Sequence, residues 1–404
     1  MANTCIFPKK TIRDINVCGK RILLRAEFNV PMTEAGEILS DYRITESIPT
    51  LRYLLERNCS IVVLSKVGRP KGVVDKKFCL APVVKQLASL LPEYSVKFQP
   101  STTDDAALQA CKRLQNKQLL VLENIRFDPR EAENSLEFAR LLRSVSKADY
   151  FVEDAFGMVH REETSTSAIT QLLPSVAGLL VEKEYCALKN VMQHPSRPLV
   201  AIVGGAKISD KIGFIEALLR VADTILIGGA MANTFLQYQK LDVGKSLVEP
   251  GQEEEIEKIF HNAKPGQIIL PSDVAVAKKI AKNVDKKIVN TEDVASDDII
   301  LDIGPETIKS FSEVVTNAET VLWNGTLGYA ELKQFAVGSE AVAKAVSNGT
   351  KISVIGGGDT ADFALDYLSE HKESSFYQIS TGGGASLELL SGTDLPGVTA
   401  LLDR

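Results

Sequence analysis

The sequence predicts an α/β protein built as two doubly wound, Rossmann-like parallel-sheet domains joined by a connecting helix and hinge. Three observations carry this. The 404 residues exceed the roughly 100–200 of one ordinary domain. The hydrophobic fraction of 45% and charged fraction of 24% are those of a globular chain with material for two cores. Short β-branched runs also alternate throughout with longer amphipathic segments, the pattern of strands crossed over by helices.

In the first half the strands fall at Arg21–Arg25 (RILLR), Ser60–Leu64 (SIVVL), Gln118–Leu122 (QLLVL) and Tyr150–Val152. Helical patterns over Glu46–Glu56, Leu80–Leu91 and Ser135–Val145 lie between them. Gly178–His194 has apolar residues at helical spacing between Pro174 and Pro195, which predicts a connecting helix. The second half places strands at Leu199–Val203, Thr224–Ile227, Gln267–Leu270, Thr320–Trp323, Lys351–Ile355 and Tyr377–Ile379. Four of them run into glycines and then a helical pattern: LVAIVGGAKISDKI, TILIGGAMANTFL, KISVIGGGDTADFAL and YQISTGGGASLELL. The unit has no fixed period, so the chain is not a solenoid. The acidic run Glu253–Glu257 reads as a solvated helix face.

Charge and composition exclude several functions. A net charge of −6 gives no basic field for nucleic acid or an anionic membrane. The halves differ: residues 1–184 carry 26 Lys/Arg against 23 Asp/Glu, and residues 185–404 carry 20 against 29. Six cysteines without a C-x-x-C pair and four histidines without zinc spacing predict reduced thiols and a cytoplasmic location. No apolar run approaches 18 residues and the N-terminus has no signal-peptide core, which argues against membrane insertion and secretion.

In open parallel sheets ligands bind beyond the carboxyl ends of the strands. After the first-half strands come Arg25 with Asn29, Lys66 with Arg69, Arg126, and His160 with Arg161, and Arg43 opens a predicted helix. Any one of these cations reads as a solvated surface residue; their recurrence after every strand predicts a site for a small, highly charged anion, because the arginine fork matches phosphate and carboxylate oxygens. After second-half strands come Gly204–Gly205, Gly228–Gly229, Gly356–Gly358 and Gly382–Gly384, which bring backbone N–H groups and helix N-termini toward a phosphate. Lys207 and Lys211 share a helix face beside the first pair, and Asp359 is a carboxylate suited to Mg²⁺. Glycines also serve helix–sheet packing, but four such turns on one edge favour a nucleotide site.

Three nucleotide chemistries fit poorly. Gly356-x-Gly358-x-x-Ala361 matches a loose dinucleotide fingerprint, yet the next strand ends Gln378-Ile379-Ser380 without the acidic residue a dehydrogenase wants. Gly244-Lys245-Ser246 lacks the first Walker glycine, because Gln239 stands there. His160-Arg161-Glu162 lacks the catalytic aspartate of a protein kinase. What remains is phosphoryl transfer between a nucleotide half and an anion half.

The motifs then resemble those of the phosphoglycerate kinase family over essentially the full length. RAEFNVP (25–31), KVGRPKG (66–72), LENIRF (122–127) and EDAFGMVHR (153–161) are similar to its acceptor-domain blocks. GGAKISDKI (204–212), GGAMANTFL (228–236), LDIGPETI (301–308), WNGTLGYAE (323–331), GGGDTADF (356–363) and STGGGASLELL (380–390) are similar to its nucleotide-domain blocks. The resemblance implies Mg²⁺-dependent, reversible transfer between 1,3-bisphosphoglycerate with ADP and 3-phosphoglycerate with ATP, hinge closure, and a monomer. It implies a phosphoglycerate domain over residues 1–184 plus about 391–404, whose tail LPGVTALLDR returns to it, and a nucleotide domain over 185–390.

By matching position, Arg25, Asn29, Lys66, Arg69, Arg126 and Arg161 would hold the acceptor, with Glu27 at the adjoining acidic position. Arg43 and Lys207 would act on the transferring group, Lys211 on the nucleotide phosphates and Asp359 on the metal. Gly358, Gly382, Gly383 and Gly384 would supply N–H groups. Gly205, Gly228, Gly229, Asn324, Gly357, Thr360 and Glu331 would line the nucleotide, Glu331 facing the ribose.

The departures concentrate in the acceptor half. Glu27 replaces the usual Asp, Lys66 a His, Glu153 an Asn and Glu163 a second His; in the other half Thr326 replaces a Pro and Ala230 a Gly. Glu153 and Glu163 are expected to weaken a nearby phosphate by about 1–2 kcal/mol unless turned toward an arginine. The alternative is a paralogue with an altered acceptor or a regulatory, nucleotide-binding role. Arg43, Lys207 and Asp359 are all present, and this favours the enzyme.

Overall fold

The computed structural model describes residues 5–404, so the first four residues of the expected acceptor domain lie outside the described residues. One compact unit contains residues 6–186 and 394–404; the other contains Cys5 and residues 187–393. The divisions thus fall between Cys186 and Ala187, within the predicted connecting helix, and between Thr393 and Asp394, a few residues from the expected positions.

The first unit is a six-stranded parallel sheet: β1 (Arg21–Ala26), β2 (Ser60–Leu64), β3 (Ser95–Gln99), β4 (Gln118–Leu122), β5 (Tyr150–Asp154) and β6 (Ser175–Ala177), ordered β3-β4-β2-β1-β5-β6. The crossovers are α1 (Tyr42–Glu56), α2 (Ala81–Leu90), α3 (Asp105–Lys112) and α4 (Leu136–Ser146). Strand side chains alternate between two cores. Ile22, Leu24, Ile61 and Val63 pack with Leu51 and Leu54 of α1 and Val83 and Leu87 of α2. Leu23, Val62 and Leu64 pack with Cys111 of α3 and Phe138 and Leu142 of α4. Burial on both faces explains why these strands read as unbroken apolar runs. The tail returns to this unit: Gly397 N–H donates to Val159 O (2.8 Å) and Leu402 N–H to Ser175 O (3.0 Å).

Helix α5 (Leu179–Gln193) leads into the second unit. There β7 (Leu199–Val203), β8 (Thr224–Ile227), β9 (Ile268–Ile269), β13 (Thr320–Asn324), β14 (Ile352–Gly356) and β15 (Gln378–Ile379) form a parallel sheet ordered β15-β14-β13-β7-β8-β9. Its helices are α6 (Ile212–Val221), α7 (Gly229–Tyr238), α8 (Glu253–Asn262), α9 (Pro305–Thr316), α10 (Val337–Gly349), α11 (Gly358–Glu370) and α12 (Gly383–Leu390). The acidic run opens α8, where carboxylates complement the positive helix end.

Sequence reading did not anticipate β3, β6, or the three-stranded antiparallel sheet of β10 (Asp273–Ala277), β11 (Lys287–Asn290) and β12 (Ile299–Ile303). β3 is a polar edge strand with an exposed face, and β6 is three residues long, so neither offers a clear period. Cys18, Cys59, Cys79 and Cys111 are free thiols. Among the described residues no helix is long and apolar enough to cross a membrane.

Candidate functional site

In each parallel sheet the strand order reverses direction at one place, where two adjacent crossovers leave to opposite sides and open a crevice at the strand ends. In the first unit it lies between β1 and β5, in the second between β7 and β13.

At the first crevice Arg25 is 1% exposed. Its Nε donates to Ser165 Oγ (2.9 Å) and its Nη1 to Ala26 O (3.0 Å), while Nη2 is buried without a partner. Glu27 is buried and accepts from Gly157 N–H (3.1 Å). Asn29 Oδ1 accepts from Gly68 N–H (3.0 Å), and the Asn29 carbonyl accepts from Arg43, the second residue of α1. Asn124, which sequence reasoning assigned no role, links two more loops. Its Nδ2 donates to Val67 O (2.8 Å) and Phe78 O (2.9 Å), and its Oδ1 accepts from Arg126 N–H (3.0 Å). The loops of Lys66, Arg69 and Arg126 are therefore held by one buried amide. Arg69 and Arg161 are exposed.

The electrostatics differ from a simple cationic rim. Burial pulls the Lys66 ammonium down to about 7, against the attraction of Glu27, with Arg126 and Arg25 adding repulsion. Lys66 is thus only partly charged near neutrality. His160, expected in the rim, is held down to about 4 by burial and by Arg161, Lys66 and Arg126, so it is neutral at pH 7.

The two suspect carboxylates behave differently from each other. Glu163 turns toward arginine, pairing with Arg126 and standing 3.9 Å from Arg161. Glu153 is fully buried, accepts from Ala155 N–H (2.9 Å), and is raised well above the carboxylate range by burial despite the pull of Arg25. A neutral Glu153 does not repel an anion. Among the described residues, six of the eight buried side-chain polar atoms without a partner belong to this cluster or its immediate strand end: Arg25, Arg126, Glu153, Asp154, His160 and Glu163. Such atoms are rare in folded proteins and mark a place where a ligand or water supplies the missing bonds.

At the second crevice Lys211 Nζ donates to Gly204 O (2.7 Å) and Asn324 O (3.0 Å), bridging the ends of β7 and β13. Burial lowers its pKa to about 8, opposed by Asp359 and Asp210. At the first two glycine turns the backbone N–H groups are taken up in packing contacts. Gly205 N–H donates to Thr326 O (3.0 Å), Gly228 N–H to Val203 O (2.9 Å) and Gly229 N–H to Leu327 O (3.0 Å), so these donors are already engaged. A Cβ on Gly229, at φ +64°, would lie 2.6 Å from Gly205 N.

In the last turn Gly382 N–H is likewise engaged, by Ser380 Oγ (3.1 Å), and what sets the later turns apart is the pairing of two helix ends. Gly357 precedes α11 and Gly382 precedes α12, and a Cβ on Gly383 would stand 3.2 Å from Gly358 N, so two helix N-termini adjoin. First-turn N–H groups have no intrahelical acceptor and favour an anion. Beside them the buried Nδ2 of Asn324 has no partner and would lie 3.1 Å from a Cβ on Gly357. Thr360 Oγ1 accepts from Gly325 N–H (2.7 Å), fixing the turn after β13. Lys207, Asp359 and Glu331 are exposed on this unit. Among the described residues no group of three or more His, Cys, Asp or Glu could hold a metal alone. The donor set instead fits Mg²⁺ carried mainly by nucleotide phosphates, for which one carboxylate such as Asp359 suffices.

Comparison with known proteins agrees with this geometry. The model of the family described as "Phosphoglycerate kinase" matches residues 12–393. A phosphoglycerate kinase of Roseiflexus sp. (strain RS-1) is 46% identical over 398 residues, 98% of this chain and 99% of the relative. One of Chloroflexus aurantiacus is 46% identical over 402 residues, 98% and 99% of the two chains. The solved structure of phosphoglycerate kinase from Coxiella burnetii superposes with a TM-score of 0.82 at 34% identity, covering 97% of this chain and 98% of that one.

Proposed function

The chain belongs to the phosphoglycerate kinase family and is a phosphotransferase with a carboxyl group as acceptor, and from that premise we propose how its residues divide the reaction. The acceptor 3-phosphoglycerate is held by Arg25, Asn29, Lys66, Arg69, Arg126 and Arg161, with Glu27 orienting the loop through Gly157. Arg43 faces the carboxylate oxygen that joins the transferring phosphoryl group. The nucleotide phosphates lie on the N-termini of α11 and α12, at Gly357, Gly358, Thr360, Gly382 and Gly383, with Asn324 donating beside them and Lys211 adding charge. Gly205, Gly228 and Gly229 shape the adenosine side by close packing, and Glu331 faces the ribose.

Lys207 follows the phosphoryl group in flight. Charge spread over three equatorial oxygens is met by these preset cations and dipoles, and no covalent enzyme intermediate is needed. Asp359 would hold Mg²⁺, which when bound neutralises phosphate charge. In-line transfer requires acceptor and nucleotide to be brought together, so the reading includes hinge closure that expels water.

The observation that most supports the reading is the concentration of unpartnered buried polar atoms at the β1/β5 crevice, together with the unpartnered Asn324 amide at the paired helix ends. The test is ATP turnover with and without 3-phosphoglycerate across a Mg²⁺ titration, in the native chain and in Asp359→Ala. Turnover that needs acceptor, with a raised Mg²⁺ requirement in the variant, is expected. An unchanged requirement would remove Asp359 from the metal. The non-catalytic paralogue is not favoured, since both carboxylates that motivated it are either neutral or paired.

A further inference from the structure

We propose that Glu131 and Ser165 are positioning residues for the acceptor, acting through Arg25; this rests on the reading of Arg25 as an acceptor-binding side chain. Neither residue lies at a strand end, and neither carries a motif that sequence reading singled out.

Arg25 donates from Nε to Ser165 Oγ, so the serine hydroxyl is an acceptor there and must send its own proton elsewhere. It sends it to Glu131 Oε1 at 2.5 Å, while Ser165 N–H donates to Glu131 Oε2 at 3.1 Å. Both carboxylate oxygens therefore grip one residue, and the serine has a single hydroxyl direction. Glu131 is 1% exposed and Ser165 is fully buried, so water does not offer an alternative partner.

The arrangement keeps a carboxyl group near Arg25 without placing it on Arg25. Among the described residues no direct ion pair joins Arg25 to a carboxylate; the hydroxyl stands between. A carboxylate bound directly would occupy the fork that an acceptor anion needs, as Glu163 does on Arg126. With the serine interposed, one edge of the guanidinium is fixed by Ser165 and Ala26 and the Nη2 edge is left unpartnered. A buried cation with an empty donor edge is costly in the free protein and is satisfied by an oxyanion.

The pair also lies where the loops that carry the other two arginines meet. Glu131 follows Arg126 by five residues and Ser165 follows Arg161 by four. Thr164 N–H also donates to Glu131 O (2.9 Å) and Thr164 Oγ1 to Arg130 O (2.7 Å), stitching the two loops together at the same point.

The test is steady-state kinetics of the full chain with 3-phosphoglycerate and ATP, for Ser165→Ala, Glu131→Gln, Ser165→Thr, Arg25→Lys and the Arg25→Lys/Ser165→Ala double variant, with thermal midpoints recorded. Loss of one hydrogen bond to a charged group predicts a rise of about ten-fold in KM for 3-phosphoglycerate in Ser165→Ala, with KM for ATP unchanged. Glu131→Gln should move the same KM in the same direction. The double variant should be no worse than Arg25→Lys, since the serine acts through the arginine. Ser165→Thr keeps the hydroxyl in a fully buried place, so its midpoint should fall while its KM stays near native. A KM that follows the midpoint instead of the hydroxyl, or effects that multiply in the double variant, would overturn the proposal. If Arg25→Lys alone leaves KM for 3-phosphoglycerate unchanged, Arg25 is not an acceptor ligand, and the underlying reading fails rather than the serine's bond to it.

Discussion

Glu163 is bound to the guanidinium of Arg126, with both side chains largely shielded from water. A carboxylate thus occupies an arginine that the acceptor phosphate or carboxylate would use. Removing the carboxylate should free that guanidinium for the anion, but because the pairing already offsets part of the repulsion the gain should be smaller than the roughly 1–2 kcal/mol of an unpaired charge. Glu163→Gln should therefore lower KM for 3-phosphoglycerate only a few-fold and leave KM for ATP alone. Its thermal midpoint should fall, because Arg126 loses its partner, and should recover partly on adding 3-phosphoglycerate. An unchanged KM would mean that the carboxylate does not face the bound anion.

Lys66 gives the acceptor site a pH dependence of predictable sign. Burial lowers its pKa to about 7, so in the free protein it loses its proton as pH rises through neutrality. A bound polyanion favours the charged form, so binding takes up a proton and affinity should weaken from pH 7 to pH 9. The ligand's own phosphate, with a second pKa near 6, is already doubly ionised over that range. Lys66→Arg keeps the charge throughout and should flatten the profile of KM for 3-phosphoglycerate. A profile of equal slope in the two proteins would assign the titration elsewhere.

In the proposed division of roles Lys207 and Arg43 act on developing charge, so their loss should appear in turnover. Each alanine variant should lower kcat by about 10²–10³-fold, the usual effect of removing one donor to transition-state charge, with the Kd for ATP little changed. The Arg43 link to the Asn29 carbonyl adds a second expectation. Arg43→Ala should also raise KM for 3-phosphoglycerate, whereas Lys207→Ala should not. Ordinary turnover in either variant would refute the role given to that residue.

Much of this was legible because buried parallel strands announce themselves as unbroken apolar runs and because ligands lie at their carboxyl ends. The place of Arg25, Lys66 and Arg126 at or just beyond the ends of β1, β2 and β4 followed from that pattern. Charge states did not, because burial is a tertiary property: His160 reads as a cation in sequence and is neutral in the fold, and Glu153 reads as a repulsive anion and is neutral as well. The glycines divided for a similar reason. Gly228 and Gly229 look like Gly357 and Gly358 on paper, but only the fold shows which N–H groups already donate to a neighbouring carbonyl. Glu131, Ser165 and Asn124 were missed because they act on other side chains and loops, through contacts between residues 30–140 positions apart.

Asp154 stands beside Glu153 at the end of β5. It is fully buried, its Oδ1 accepts from Leu180 N–H (2.9 Å), and burial raises its pKa from 3.8 to about 8, with Glu184 adding to the rise. Between those two values the folded chain holds a proton that the unfolded chain has released. The stability this proton confers is fully present below about pH 4 and is lost as pH rises through about 8. Glu131 and Asp302, each raised to about 7 by burial, tilt the native curve in the same direction, so the informative quantity is a difference between variants. Asp154→Asn keeps an oxygen for Leu180 and has no charge to release. Its stability relative to the native chain, from urea unfolding at pH 5, 6.5 and 8, should improve steadily with pH, by up to about 1.4 kcal/mol per unit. Parallel curves would show that Asp154 is ionised in the folded protein and that its burial is compensated by a partner or water at the unpartnered Oδ2.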